Sequence, residues 1–329
     1  MEIAKIEERP ELTRDEEYAE KEEQGIVPRN KRGQPMVWLP DGSKRVAYSR
    51  PSGLGDPLDD KQNLFPWHRG RALIGAMRND SLLDPLREAD ARGVDWDEQE
   101  GKEISKKQGE IAFKVGGGED RAERGTLWHE VLEEVDHGGD PFVPEEYEPF
   151  IEAYKAMMTE AKGHYDLQII GTEVFGVADN IQIAGTLDVL MTMNDPETHK
   201  RMLLIGDKKT SRSLDYSMGK FACQLWAYSQ MVRYNPRDAL HKIATEGYGV
   251  GRKRMLADTS FWQSPTASSE VGFIFWTPSG RAIAEMVPLD ISQGARGYAL
   301  AQEVKEWRNH WQRKAQKPVP LIAHTREET

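Results

Sequence analysis

The stretch MLLIGDKKTS, residues 202–211, decides the fold and the chemistry that we expect of this chain. Four apolar residues run into a glycine, which is typical of a buried strand. Side chains two residues apart in a strand lie on the same face, so Asp207 and Lys209 are expected to point at one spot, with Lys208 on the other face. The ordinary alternative is a surface salt bridge between Asp207 and Lys209, which would contribute little stability.

A second acid lies in the strand that the sequence predicts upstream. The run IAGTLDVLM, residues 183–191, contains Asp188, and MNDPET, residues 193–198, can form the turn that leads to the next strand. Antiparallel pairing of the two strands would bring Asp188 close to Asp207. Two close carboxylates repel each other without a cation, and oxygen ligands at this density suit Mg²⁺ or Mn²⁺. A lysine beside such an ion can orient a water and stabilise a phosphorane-like transition state, which indicates phosphodiester hydrolysis.

Four other polar side chains can each be interpreted as structural or as functional. Gln224 and Tyr228 are four residues apart on a predicted helix, where they can bind a substrate or satisfy each other. His129 lies at the edge of a helical apolar stripe, where a histidine is usually structural, and the H-E-x-x-H pattern of zinc proteases is incomplete there. Glu173, within an apolar strand, faces either solvent or the same site as Asp188.

Composition limits the class of protein. The 329 residues allow one large domain or two modest ones, and no apolar run approaches the length of a membrane span. The N-terminus has no hydrophobic stretch of the kind that signal peptides carry. A single cysteine, Cys223, excludes an internal disulfide and a cysteine-built metal or iron–sulfur site. We therefore expect a soluble, cytoplasmic protein.

The charge of the chain is unevenly distributed. The formal net charge of −11 argues against nucleic acid when it is taken alone. However, residues 1–25 hold ten acidic and four basic residues, a net of −6, and basic residues gather at 200–220 and 252–254. Since local charge decides phosphate binding, the global sign carries little weight.

The order of the predicted elements indicates an α/β (α+β) fold, with a mixed sheet flanked by helices. Residues 1–57 are expected to form an acidic, partly disordered arm with a short hairpin at 36–49. Residues 58–115 are expected to be helical, with Ser81 as a helix N-cap. The main domain would span 116–316, followed by a tail at 317–329. Within it we predict helices at 121–139, 145–163, 215–234 and 290–315, and strands at 166–177, 181–193, 201–207, 271–278 and 282–289.

Five motifs in order resemble the RecB-type nuclease domains of the PD-(D/E)xK superfamily, over residues 120–235. They are GTLWH (125–129), TEV (172–174), GTLD (185–188), IGDKKTS (205–211) and QLWAY (224–228). The resemblance implies a restriction-endonuclease-like sheet and one or two Mg²⁺ or Mn²⁺ ions. Neither the four cysteines of the iron–sulfur relatives nor a helicase phosphate loop is found in the sequence.

The resemblance also assigns roles. It implies metal ligation by His129, Asp188, Asp207 and the Lys208 carbonyl, and catalysis by Asp188, Asp207, Lys209 and, more weakly, Glu173. It assigns Gln224 and Tyr228 to DNA contact or to support of the site. From their charge we add Lys208, Arg212, Lys220, Arg252, Lys253 and Arg254 as DNA-binding residues.

The resulting expectation is a metal-dependent exonuclease on linear, double-stranded DNA, for recombination or DNA processing in a bacterium or a virus such as a phage. It would work in the cytoplasm, or in the host cytoplasm if viral. A single-strand annealing protein is a conceivable partner, an oligomer is compatible with the family, and no membrane is involved. The alternatives are a structure-selective or nicking endonuclease of the same fold and a binding module that has lost catalysis.

Overall fold

The computed structural model describes residues 13–58, 64–215, 217–246 and 267–312, without the side chains of 121–123, 242–246 and 311–312. Within these ranges the main elements, in chain order, are α1 (Arg14–Glu23), β1 (Met36–Trp38), β2 (Arg45–Ala47), α2 (Leu64–Arg78), α3 (Asp84–Ala91), α4 (Gln99–Val115), α5 (Asp120–Asp136), α6 (Glu148–Tyr165), β3 (Gln168–Ala178), β4 (Ile183–Asn194), β5 (Arg201–Lys209), α7 (Met218–Ser229), β6 (Val232–Arg233), α8 (Pro236–Glu246), β7 (Val271–Trp276), β8 (Glu285–Asp290) and α9 (Ser292–Trp307).

A six-stranded mixed sheet forms the centre of the fold, in the order β6-β3-β4-β5-β7-β8. Strands β3, β4 and β5 form an antiparallel meander, and β7 then pairs with β5 in parallel. A parallel neighbour needs a crossover connection, and the chain between β5 and β7 includes α7 and α8. The expected mixed α/β sheet flanked by helices is therefore confirmed.

Helices cover both faces of the sheet because residues along its strands alternate in direction. Leu203 and Ile205 of β5 pack into a core with Leu225 of α7. Leu204, between them, packs on the other side with Leu132 of α5 and with residues of α6. The sheet thus separates an α5–α6 layer from an α7–α9 layer, and the end of β5 lies between the two.

The described part of the N-terminal arm is folded. Residues 36–47 form the expected β1–β2 hairpin, and Val37 and Tyr48 pack with Val177 of the sheet. The buried carboxylate of Glu22 on α1 pairs with Arg45 at 2.8 Å. The composition of the arm suggested partial disorder, but its few apolar side chains are concentrated in the hairpin, where the sheet covers them. Residues 1–12 lie outside the described residues.

Several helix predictions need correction. Helix α7 ends at Ser229 instead of continuing to 234, because Val232 and Arg233 pair with β3 as β6. Ser81 lies in a 3₁₀ turn, and the residue that precedes α3 is Leu83, which makes no side-chain cap. Leu127, expected in the buried stripe of α5, is 60% exposed. Helix α9 ends at Trp307, and a π-helical turn follows it to Gln312.

None of the helices in the described ranges is both long enough and apolar enough to cross a bilayer.

Candidate metal centre

The two aspartates lie across from each other on neighbouring strands. Val189 of β4 pairs with Gly206 of β5 in antiparallel register, and one step further along the register Asp188 faces Asp207. The predicted pairing of these strands is therefore confirmed. Both carboxylates are largely buried: Asp207 is 1% exposed, and the side chain of Asp188 is 12% exposed.

Three potential ligands converge beside this pair. One ligand atom each from His129 of α5, Glu173 of β3 and Asp188 of β4 lies within 4.8 Å of the other two. Nδ1 of His129 is 3.6 Å from Oδ2 of Asp188. Since the three residues come from a helix and two strands, their convergence depends on the packing of α5 against the sheet.

The backbone of Lys208 lies beside the histidine and the aspartate. Its N–H donates to Oδ2 of Asp188 at 2.8 Å, and the same backbone offsets a small part of the lowering of the His129 pKa that burial causes. Ligation of a metal by its carbonyl stays a prediction.

Asp207 lies next to this cluster, and its ligation of a metal stays a prediction. Its Oδ1 accepts from Nε2 of Gln224 at 2.9 Å, and its Oδ2 pairs with the ammonium of Lys209. The prediction that Asp207 and Lys209 share a face is confirmed. Glu173, the acid carried over only weakly, joins His129 and Asp188 in the cluster.

The electrostatics of the cluster favour a bound cation. Burial raises the pKa of Asp188 and Glu173 and raises that of Asp207 to about 7. Burial, and next the charge of Lys209, lowers the pKa of His129, which keeps the imidazole neutral and able to ligate. Burial would lower the pKa of Lys209, but Asp207 and Asp188 more than offset it, so its pKa is raised and it stays cationic.

Glu173 has an unusual backbone. Its φ is +48°, the left-handed region that residues other than glycine rarely adopt. Thr172 pairs with Val189 and Val174 with Leu187, so Glu173 lies across from Asp188 in the middle of β3. Strained conformations of this kind concentrate at functional sites.

Two roles were expected for Gln224 and Tyr228, DNA contact or support of the site, and their positions fit the second. Both side chains are buried, at 6% and 5% exposure. Gln224 donates to Asp207, and the hydroxyl of Tyr228 donates to the carbonyl of Thr186 at 2.6 Å, two residues before Asp188. Because α7 packs directly on the sheet, these groups support the two aspartates from within the protein.

The predicted basic residues are scattered. The ammonium of Lys208 is buried against Asp136, so its side chain does not face DNA, and Lys220 pairs with Asp56 at 2.6 Å. Arg212 is exposed on the loop after β5, as a DNA contact requires. Arg201 is the first residue of β5, and the rise of an extended strand places it about 26 Å from Lys209; Lys200 precedes it. Residues 252–254 lie outside the described residues.

Two exposed arginines were missed by the sequence analysis. Arg281 lies in the turn after β7, where the N–H of Ser279 donates to the carbonyl of Thr210 at 3.1 Å. Arg124 precedes Gly125, where an added Cβ would lie 3.5 Å from Oγ1 of Thr210. Arg281 could have been assigned to this edge only with the knowledge that β7 pairs with β5 in parallel. The sequence does not show which strands are parallel.

The donor set fits a divalent cation of the Mg²⁺ or Mn²⁺ type. Two carboxylates, an imidazole and a nearby backbone carbonyl are ligands that these ions accept, and the imidazole favours Mn²⁺ over Mg²⁺. A cation would also relieve the repulsion between carboxylates whose pKa values are raised in its absence.

No family model matches the chain, and no curated protein is significantly similar to it.

Proposed function

We propose that this protein is a metal-dependent DNA exonuclease of the PD-(D/E)xK superfamily, with a restriction-endonuclease-like core of the RecB type. The observation that carries the proposal is the convergence of His129, Glu173 and Asp188 within 4.8 Å, next to the Asp207–Lys209 pair at the end of β5. The motifs that resemble this superfamily supply these five residues from four elements, α5, β3, β4 and β5.

The order of the elements around the site also supports the assignment. Helix α5 precedes the antiparallel meander β3-β4-β5, and α7 and α8 then lead to the parallel strand β7. The acid and the lysine of the D-x-K motif lie at the end of the strand that pairs with both β4 and β7. A mixed sheet flanked by helices, with these residues at the end of a central strand, supports the proposed restriction-endonuclease-like core.

The residues have distinct roles in the proposed hydrolysis. His129, Asp188, Glu173 and the carbonyl of Lys208 would hold the cation, which supplies Lewis-acid polarisation of the phosphate and a lowered pKa for water. Lys209, kept cationic by Asp207, is placed to hydrogen-bond the attacking water and to stabilise negative charge on the phosphate. Gln224 holds the second oxygen of Asp207 and so fixes the direction of the Asp207–Lys209 pair.

Exposed arginines supply contacts for the DNA backbone. Arg124, Arg212 and Arg281 lie on three segments that meet beyond the end of β5. Guanidinium groups bind phosphate bidentately, and such contacts make affinity depend steeply on salt. Linear duplex DNA is therefore the proposed substrate, with a role in recombination or DNA processing in a bacterium or a phage.

The test compares wild-type protein with Asp188→Asn and Lys209→Ala on linear and covalently closed duplex DNA, with Mg²⁺, Mn²⁺ or EDTA. End labels on each strand report the direction of digestion. Lys155→Ala is the matched control, because it removes a surface lysine that pairs with Asp140 and Glu152. We expect the wild type and the control to degrade linear DNA with either metal, and both site variants to lose this activity.

The other outcomes separate the alternatives. Nicking of closed circles would favour an endonuclease of the same fold. Binding of DNA without cleavage under either metal would indicate a module that has lost catalysis. Undiminished digestion by Asp188→Asn or Lys209→Ala would refute the assignment of the site.

A further inference from the structure

A buried ion pair lies on the face of β5 opposite the Asp207–Lys209 pair. The ammonium of Lys208 is 2.7 Å from Oδ2 of Asp136, and the two side chains are only 3% and 1% exposed. The hydroxyl of Tyr154 on α6 donates to Oδ1 of the same carboxylate at 2.8 Å. Apolar replacements of buried ion pairs are often as stable as the pair or more stable, so stability alone does not explain why charges lie here.

Lys208 joins α5 to the aspartate of the cluster. Its ammonium pairs with Asp136 of α5, and its N–H donates to Asp188 of β4. Asp136 lies seven residues after His129, about two helical turns, so both residues lie on one face of α5, about 10 Å apart. A single residue thus connects one proposed ligand with the helix that carries another.

We propose that the Asp136–Lys208 pair, oriented by Tyr154, is a positioning device that fixes α5 against the end of β5 and thereby sets the affinity of the centre for a divalent cation. The side chains of the three residues act through His129, Asp188 and the backbone of Lys208 and do not contact the cation themselves. This inference rests on the proposed metal centre. Groups that orient metal ligands typically change affinity by about 10- to 100-fold when they are removed.

Tyr154→Phe is the mildest test, because it removes one donor to Asp136 and keeps the ring. Tyr48→Phe is its matched control: the hydroxyl of Tyr48 donates to Asp179 at 2.7 Å, and the side chain is 1% exposed, against 0% for Tyr154. Asp179 lies beyond the end of β3, six residues from Glu173. Both variants should lose a similar, small amount of thermal stability.

The first measurement is the dissociation constant for Mn²⁺ by calorimetry. We expect Tyr154→Phe to weaken binding by about tenfold and Tyr48→Phe to leave it within about twofold of wild type. Equal dissociation constants for the two variants would overturn the proposal.

The second measurement needs no metal. In metal-free protein labelled with ¹⁵N in lysine, the backbone N–H of Lys208 that donates to Asp188 should exchange with solvent faster in Tyr154→Phe than in wild type or Tyr48→Phe. If exchange is faster in Tyr154→Phe but the wild type binds no Mn²⁺, the metal centre is refuted and the positioning role is still supported. Equal exchange in all three proteins would overturn the positioning role.

A triple variant separates positioning from stability. Asp136→Leu, Lys208→Met and Tyr154→Phe together keep approximately the same volume and leave no buried charge or unpaired hydroxyl at this place. The proposal expects a melting temperature at or above that of wild type, with Mn²⁺ binding weakened about tenfold or more. A triple variant that binds Mn²⁺ as tightly as wild type would show that the ion pair has no positioning role.

Discussion

Replacement of Glu173 by glycine is expected to make the metal-free protein more stable and the proposed site weaker. The left-handed backbone at φ +48° costs about 1–2 kcal/mol for a residue with a Cβ, whereas the extra flexibility of an unfolded glycine costs about 0.5–1 kcal/mol. The variant also removes a carboxylate whose pKa is raised by burial and by the neighbouring charge of Glu133. The net gain is about 1 kcal/mol, or a rise in melting temperature of roughly 2 °C.

The assay is thermal unfolding in EDTA and in saturating Mn²⁺, together with calorimetric Mn²⁺ binding. Glu173→Gly should melt higher than wild type in EDTA and bind Mn²⁺ at least about tenfold more weakly, a loss of about 1.4 kcal/mol. The stabilisation by Mn²⁺ should shrink accordingly. Glu173→Gln keeps the strained backbone and removes the charge. It should therefore bind Mn²⁺ more weakly than wild type, without the rise in melting temperature that comes from relief of the backbone strain.

Gln182 offers a matched control for the backbone effect. It is exposed, has a φ of +50° and lies outside the cluster, in the turn between β3 and β4. Gln182→Gly should raise the melting temperature slightly and leave Mn²⁺ binding unchanged. The reasoning would be refuted if Glu173→Gly were less stable than wild type in EDTA, or if it bound Mn²⁺ as tightly.

Three further predictions concern pH, catalysis and DNA binding. Because burial raises the pKa of Asp207 from 3.8 to about 7, its contribution favours the folded state at low pH and is lost as the pH rises from about 4 to 7, on the order of 4 kcal/mol. Urea unfolding of metal-free Asp207→Asn across this range should therefore show a free energy of unfolding that changes less with pH than that of wild type. An equal pH dependence in the two proteins would contradict the raised pKa of the buried carboxylate. Lys209→Gln should lower the rate of linear DNA digestion at least about 100-fold without weakening Mn²⁺ binding, because the ammonium acts on water and phosphate. If digestion and Mn²⁺ binding were lost together, Lys209 would be a structural residue. Arg212→Ala and Arg281→Ala should each lower the salt slope of DNA binding by about 1, measured by anisotropy with Ca²⁺ in place of Mg²⁺; unchanged slopes would place the DNA elsewhere.

The strands around the site could be predicted because their apolar runs are long and end at glycine, charged or turn-forming residues. Residues 202–205 and 183–191 identified β5 and β4, and the short turn between them fixed an antiparallel pair with Asp188 across from Asp207. Alternation along β5 then separated Lys209 from Lys208 correctly. These are local patterns, and no tertiary contact was needed to interpret them.

Which side chains come together at the site depends on tertiary packing, and local sequence patterns do not encode that packing. The amide of Gln224 reaches Asp207 only because α7 packs across the end of β5, and the sequence pattern permits either a substrate contact or this internal one. The left-handed backbone that places Glu173 opposite Asp188 is adopted by a residue type with no preference for it. The partner of Lys208 is 72 residues away, on a helix whose apolar stripe gave no sign that Asp136 is buried.

The end of α7 illustrates a second limit. Residues 230–234 continue the apolar pattern of the helix, and an Asn-Pro pair follows at 235–236, so the sequence alone favours a helix to that point. Two of these residues pair instead with Gly176 and Val177 at the edge of the sheet, where an unpaired strand would leave backbone groups without partners.

The most direct test of the account is a crystal structure of the protein grown with Mn²⁺ and measured at a wavelength where manganese scatters anomalously. The account predicts an anomalous peak within ligand distance of His129, Glu173 and Asp188, on the side of the Lys208 carbonyl, that disappears in Asp188→Asn. A protein that shows no peak there, or in which the imidazole of His129 points away from both carboxylates with Mn²⁺ present, would contradict the central claim.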